Sequence, residues 1–362
     1  MTERGLLVLV TGTGRSGTST IAGTLHHLGL NVPGPYLGAN RSNPKGFYES
    51  TWAVQFHKQI TASARINDFD GRPGAWAKAQ EAVTPEIRRQ LVDFLREQAA
   101  DGPQLVIKDP RSVWAQRLWR EASDEAGLDI RYLSMLRHPA EVIGSRTTYY
   151  ASKADEAQRR RYEIFNVGRW VNSSLVSERE TRGGTRTFVP YADLLDDWRS
   201  VMARVRDELG IELNTGLAAG EAHPVDDFID PGLRRVRVTW DELVVPADLQ
   251  TLAQGVWDDL MTLCEKRGVD EGASADLDTL AAGYDRMFAD ATAVSHDAIE
   301  EAVETARRKG AREARRKLAA KAKPAPAKRP ARRQERPVRD VTSRELLRTV
   351  AGRVKRRLRR HG

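Results

Sequence analysis

Cysteine is almost absent from this chain: Cys264 is the only one in 362 residues. No intramolecular disulfide can form and a cysteine-based metal site is excluded, so a reducing cytoplasm is the expected home. There is also no run approaching the ~18 apolar residues of a membrane span. Charged residues make up 30% of the chain, and a soluble protein is expected. Leu6 to Val10 is too short for the core of a secretory signal, and Thr11-Gly12 follows it in place of a small-residue cleavage site. The seven histidines include no HExxH pair, and no metal site is expected. Negative charge is scarce at one end. Residues 307–362 hold 23 of the 58 Lys and Arg but 4 of the 50 Asp and Glu, a net of +19 against −11 for the rest. The overall charge of +8 therefore belongs to the tail, and the body of the protein does not read as a nucleic-acid binder.

What is present begins at Leu6. Five apolar residues, Leu6 to Val10, make a short buried strand, and Thr20 to Leu28 has helical periodicity. Between them lies Thr11-Gly12-Thr13-Gly14-Arg15-Ser16-Gly17-Thr18-Ser19. A strand, a glycine-rich turn and a helix N-terminus form an anion cradle: backbone N–H groups point inward and the helix dipole favours negative charge. The spacing Gly12-x-x-x-x-Gly17 is that of a Walker P-loop, but Thr18-Ser19 stands where Lys-Ser or Lys-Thr is required. That lysine neutralises the β- and γ-phosphates of a nucleoside triphosphate, with the hydroxyl on Mg²⁺. Here the cation comes earlier, at Arg15. Taken alone, the stretch leaves open a degenerate nucleotide-kinase loop or a plain strand-turn-helix.

Further along, residues 31–50 are turn-rich, and a long structured loop beside a phosphate cradle is often functional. A helix is expected over 51–66, with Trp52, Phe56 and Ile60 at core spacing. Asp68 to Pro73 reads as a second loop, and Thr84 with Pro85 opens a helix running to about Ala100. Strands are expected at Leu105–Ile107, Ile130–Leu136 and Thr187–Pro190, helices at 112–125, 140–150 and 155–182, and after Tyr191–Leu195 a further helix to about Leu209. Residues 214–245 read mostly as loop, and 246–268 and 276–310 as helical. Strands alternating with helices predict an α/β fold of three layers, with a central parallel sheet flanked by helices. Three polar clusters, 12–19, 108–111 and 137–145, fall at the carboxyl ends of strands, where such sheets bind ligands.

The third cluster carries a second motif. Arg137 leaves the strand end, and Ser145 follows six residues after Pro139, about 9 Å along a helix. An extended arginine and that hydroxyl can converge on one phosphate. Together, Gly14-Arg15-Ser16-Gly17-Thr18-Ser19, Lys108-Asp109-Pro110-Arg111, Arg137 to Ser145 and Tyr191-Ala192-Asp193-Leu194 resemble the sulfotransferases that use 3′-phosphoadenosine-5′-phosphosulfate (PAPS). The chain is more similar to the bacterial branch than to the animal cytosolic enzymes, and the resemblance spans about residues 6–240. It implies a P-loop-type fold and sulfuryl transfer to a hydroxyl acceptor without a metal. It also implies that residues 14–19 hold the 5′-phosphosulfate, while Arg137 and Ser145 bind the 3′-phosphate. Two features depart from the animal pattern. Its Arg-Lys-Gly segment has no clear match, with Arg234 and Arg235 the nearest candidates, and its Lys-Thr-His histidine is missing because Asp109 follows Lys108.

Catalysis then needs another base to reach the acceptor hydroxyl. Glu49 is the first candidate, since carbohydrate-type members of the family carry an acidic residue in a comparable region. Asp109 is second, although beside Lys108 and Arg111 it also reads as a structural ion pair, and His57 reads as packed on its helix. Arg15 is assigned to charge on the bridging oxygen of the leaving group, and Lys108 either assists or belongs to the acceptor pocket. A cell-envelope glycan or glycolipid is the acceptor expected from the placement of Glu49. A P-loop kinase-like phosphotransferase and a catalytically degenerate binding protein are the alternatives.

Four parts are expected: a core domain over 1–270, a helical extension over 271–320, a Pro/Ala/Lys/Arg linker over 321–341 and a basic amphipathic helix over 342–362. The linker's composition predicts disorder. Thr342-Ser343-Arg344-Glu345 has capping-box spacing, and Leu346, Leu347, Val350, Val354 and Leu358 form an apolar stripe among arginines. Such a helix suits an anionic membrane surface, here the inner face of the plasma membrane. A solvated tail and nonspecific contact with nucleic acid or an acidic glycan are the alternatives.

Overall fold

The computed structural model describes residues 4–322 apart from 41, 42, 44, 152, 154, 216, 219, 230, 231 and 233–236. The expected linker beyond 322, the helix at 342–362 and the pair Arg234 and Arg235 lie outside the described residues. Two compact units divide the chain, Met1–Ala293 and Val294–Gly362.

The first unit is built on four parallel strands: β1 (Gly5–Thr11), β2 (Gln104–Lys108), β3 (Leu128–Leu136) and β4 (Arg186–Pro190), in the order β2-β1-β3-β4. Val10 is in register with Lys108 on one side and Leu133 on the other. Side chains alternate across a strand, so Leu7, Leu9 and Tyr132 enter the core on one face while Val8, Val10 and Leu133 enter it on the other. Helices cover both faces, as the alternation of strands and helices in the sequence predicts. They are α1 (Thr18–His27), α2 (Thr51–Ala64), α3 (Ala75–Glu81), α4 (Pro85–Ala99), α5 (Gln116–Ala126), α6 (Pro139–Tyr150), α7 (Glu156–Thr181), α8 (Tyr191–Asp196), α9 (Trp198–Leu209), α10 (Pro224–Phe228), α11 (Ala247–Glu265) and α12 (Glu271–Val294).

Local chemistry sets the boundaries. The Thr84 hydroxyl accepts from Ile87 N at 3.3 Å and Pro85 opens α4. Asp109 caps a 3-10 turn, Pro110–Trp114, which takes the place of the first turn expected for the helix at 112. Asp197 separates the short helix at Tyr191–Asp196 from the helix expected to end near Leu209. Its backbone is extended, and its carboxylate accepts from Arg199 N and Ser200 N, starting α9 afresh after α8. The seven-residue α3 was not anticipated, because its two buried alanines, Ala75 and Ala79, are too short a period to recognise.

The sheet order reverses at β1: the chain steps outward to β2, then crosses back to β3. The α1 helix therefore packs on one face and α6 on the other. The crevice between the carboxyl ends of β1 and β3 is the topological switch point, where parallel sheets place ligands. Helix α12 belongs to this unit, which runs to Ala293 and not to 270. It buries Ala273, Leu277 and Tyr284, and the Tyr284 hydroxyl donates to Gly71 O at 2.6 Å. Asn172 on α7 donates to Asp70 O at 2.8 Å, so the loop over 67–73 is held from two sides.

Within the second unit, the described residues form one helix, α13 (His296–Ala322). No helix among the described residues is long and apolar enough to cross a membrane.

Candidate active site

The turn after β1 is shaped by residues that tolerate unusual backbone. Gly12 has φ +124°, and a Cβ there would lie 2.7 Å from Met135 O. Gly17 has φ +90° and sits so close to Tyr191 that a Cβ would fall 2.2 Å from its ring. Arg15 holds φ 78° without being glycine. Strain of this kind persists where the surroundings over-determine it. Here Thr13 and Ser16 bridge their hydroxyls at 2.6 Å, and Ser16 N donates to Thr13 O at 3.1 Å. Gly17 is the N-cap of α1, with no side chain capping it and no acidic residue in the first turn. An uncapped helix start of this kind favours an anion.

At the end of β3, Arg137 reaches back to this turn. Its Nη1 donates to Arg15 O at 3.1 Å, its Nε to Glu141 Oε2 at 3.0 Å, and its guanidinium lies 5.0 Å from the centre of the Tyr191 ring. On α6, Ser145 Oγ accepts from Arg15 Nε at 3.2 Å. Arg146 Nη2 donates to Gly14 O at 3.2 Å, and its guanidinium lies 4.9 Å from the Phe69 ring. The two motifs, more than 120 residues apart in the chain, are thus joined through Arg15–Ser145 and Arg137–Arg15, and Arg146, just beyond the second motif, adds its bond to Gly14. Ser145 meets Arg15, whereas the sequence reading pairs it with Arg137.

The end of β2 supplies the third wall. Lys108 is almost fully buried and donates to Glu49 Oε1 at 2.5 Å and Ser19 Oγ at 2.9 Å. Burial pushes the Lys108 ammonium below its ordinary range, against the opposing attraction of Glu49. Arg111 Nη2 stands 3.5 Å from Glu49 Oε2, and its Nη1 donates to Asp68 at 3.3 Å. Glu49, Lys108 and Arg111 all line one cavity of about 470 Å³, together with Gly14, Arg15, Gly17, Thr18 and Ser19, Arg137, Ser145 and Tyr191.

Asp109, the second candidate base in the sequence, does not line it, whereas Glu49 does. Its carboxylate is fully buried and accepts from His57 Nδ1 at 2.8 Å, Arg111 N at 3.0 Å and Arg111 Nε at 3.1 Å. Trp119 Nε1 donates to His57 Nε2 at 2.8 Å. Indole is only a donor, so that ring nitrogen is the acceptor and Nδ1–H faces Asp109. Burial pushes the Asp109 carboxyl up, but His57 and Arg111 together outweigh it and hold the group below its usual range. A carboxylate enclosed this way holds Arg111 in place and does not line the cavity. Ser16 is likewise buried, with its hydroxyl turned to Thr13.

Charge around the cavity is one-sided. Arg15, Lys58, Lys108, Arg111, Arg137 and Arg146 line it, with Glu49 as the single carboxylate among the described lining residues. Sequence reasoning did not single out Arg146, Phe69 or Lys58 for the site. Arg146 directly follows Ser145, which was the one available signal; Phe69 arrives through a loop held by α7 and α12.

No known-family model matches the chain, and no curated protein matches it. Among solved structures, the chain is similar to the sulfotransferase domain from the Synechococcus PCC 7002 olefin synthase, at 20% identity and a TM-score of 0.39 over 75% of this chain and 98% of that one. It is similar in the same way to the sulfotransferase domain from the curacin biosynthetic pathway, at 18% identity and a TM-score of 0.38 over 72% of this chain and 98% of that one. Likeness at this level does not assign the chain to a family.

Proposed function

We propose that the cavity binds PAPS and that the protein transfers its sulfuryl group to a hydroxyl acceptor. The observation that carries this reading is the contact of Arg15 with Ser145, backed by Arg137 on Arg15 O: the loop motif and the strand-end motif form one wall. The donor set fits a ligand with a phosphosulfate at one end and a second phosphate at the other. The uncapped start of α1 suits the first, Arg137 with Ser145 suits the second, and six cations against one carboxylate suit an anion of that charge.

PAPS would supply a sulfuryl group whose bond to a phosphate oxygen is ready to break. Residues 14–19 would hold that end through backbone N–H groups, and Arg15 would stabilise negative charge as it grows on the bridging oxygen. Glu49 is the carboxylate facing the cavity and takes the role of base, receiving the acceptor proton on an oxygen that now contacts Lys108 or Arg111. Lys108 and Arg111 aim it. The acceptor we favour is a glycan or glycolipid hydroxyl, entering past the 31–50 loop.

A Mg²⁺–nucleoside triphosphate reading is opposed by two residues. Thr18 replaces the Walker lysine, and the Ser19 hydroxyl, which would hold the metal in a P-loop, already accepts from Lys108 at 2.9 Å. Calorimetric titration separates the two. Binding of 3′,5′-ADP should be tighter than that of ADP or ATP and indifferent to Mg²⁺. Preference for ATP with Mg²⁺ overturns the proposal. A cell extract incubated with the protein and isotopically labelled PAPS should then yield a new sulfated species by mass spectrometry.

A further inference from the structure

Helix α13 takes no part in the cavity. Every described side chain from His296 to Leu318 is exposed, including Ile299, Val303 and Leu318 at 44%, 45% and 67%. With Ala306, Gly310 and Ala314 these recur every three or four residues as one narrow apolar stripe. Charge is divided along the same helix. Residues 296–306 hold four acidic side chains and no Lys or Arg, while 307–322 hold eight Lys and Arg and one Glu.

We propose that the stripe is covered by α13 of a second copy of this chain, running antiparallel. A parallel pair would set acid against acid and base against base, whereas an antiparallel pair sets each acidic half on a basic one. The stripe supplies the register. With Ile299 opposite Leu318, Val303 falls opposite Ala314, and Ala306 lies within one residue, about 1.5 Å along the axis, of the level of Gly310, a set that reads identically from either copy, as a two-fold interface requires. Small residues in the middle let the backbones approach, and Glu300 and Glu301 fall level with Lys317 and Arg316. Glu304 and Glu313 share a level, but Glu304 already accepts from Arg308 of its own helix at 2.8 Å.

The helix dipole also favours acids at the start and bases at the end, but it accounts for neither the stripe nor its self-complementary order. The chain's own 342–362 segment is a poor occupant, because its eight Lys and Arg against one Glu repel the basic half of α13.

Sedimentation equilibrium of the full chain tests this. The protein should dimerise at micromolar concentration, with Kd rising several-fold between about 0.05 and about 0.5 M salt. Glu300→Lys with Glu301→Lys and Glu304→Lys should weaken self-association roughly tenfold or more. Arg315→Glu with Arg316→Glu and Lys317→Glu should do the same, and an equimolar mixture of the two variants should form a heterodimer. Circular dichroism checks that both remain helical. In a Cys264→Ser background, Ile299→Cys and Leu318→Cys should cross-link on mixing. Either alone should not, since two copies of residue 299 would be about 28 Å apart. A monomer up to about 100 µM, a dimer that both charge reversals leave intact, or Ile299→Cys cross-linking to itself overturns the proposal.

Discussion

Arg15 and Arg137 touch each other yet should fail differently when removed. Arg15→Ala should lower turnover far more than affinity for 3′,5′-ADP, because its charge is needed as the bond breaks. Arg137→Ala should weaken 3′,5′-ADP binding by about 1.5–3 kcal/mol, the range for hydrogen bonds to charged groups. Steady-state kinetics beside calorimetry tests the pair; equal losses in both measurements would remove the distinction. Glu49→Gln should abolish turnover and leave nucleotide binding intact. Asp109→Ala belongs to another class. It leaves His57 and Arg111 without their buried partner and should cost about 3–5 kcal/mol of folding stability by urea unfolding. A stable Asp109→Ala protein that has lost only activity would return Asp109 to the list of bases.

Elements distant from the cavity hold its wall in place. The Tyr284 hydroxyl on α12 anchors Gly71, two residues from Phe69, against which Arg146 packs. Tyr284→Phe should cost about 0.5–1.5 kcal/mol of stability and raise KM for PAPS while changing kcat little. Where α11 meets α12, burial and the nearby Asp276, Asp258 and Asp270 push the Asp259 carboxyl up to about 6. Its pKa is higher folded than unfolded, so its contribution is fully present below the unfolded pKa near 4 and is lost as pH rises through about 6. Asp259→Asn should therefore raise Tm at pH 7.5 and flatten its dependence between about pH 4 and 7. No change in Tm at pH 7.5 would mean that solvent screens the cluster.

For the whole molecule, charge is the property that divides it. Residues 323–362 carry 15 Lys and Arg and 3 Asp and Glu, and the membrane reading of the tail rests on that excess. Full-length protein should pellet with phosphatidylserine vesicles, and a chain ending at Ala322 should stay in the supernatant while the proposed sulfuryl transfer is unchanged. Equal behaviour of the two, or displacement by RNA at far lower concentration than lipid, would remove the membrane role.

The sequence by itself determined what depends on neighbours along the chain. The apolar strands β1 to β4, the glycine turn at 12–17, the Thr84-Pro85 start of α4 and the basic end are all local or periodic signals. It also placed Arg15 and Arg137 at strand ends, with Ser145 on the helix that follows, because a parallel sheet puts those ends on one side. Only the tertiary structure decided which partner each charge takes. Asp109 and Glu49 are equally acidic in the sequence. One is enclosed by His57 and Arg111 beneath the 3-10 turn, and the other reaches the cavity beside Lys108. Residues 271–293 looked like an appendage until α12 buried Tyr284 against Gly71. Burial and pairing across more than 50 residues depend on how layers stack, and no spacing along the chain encodes that.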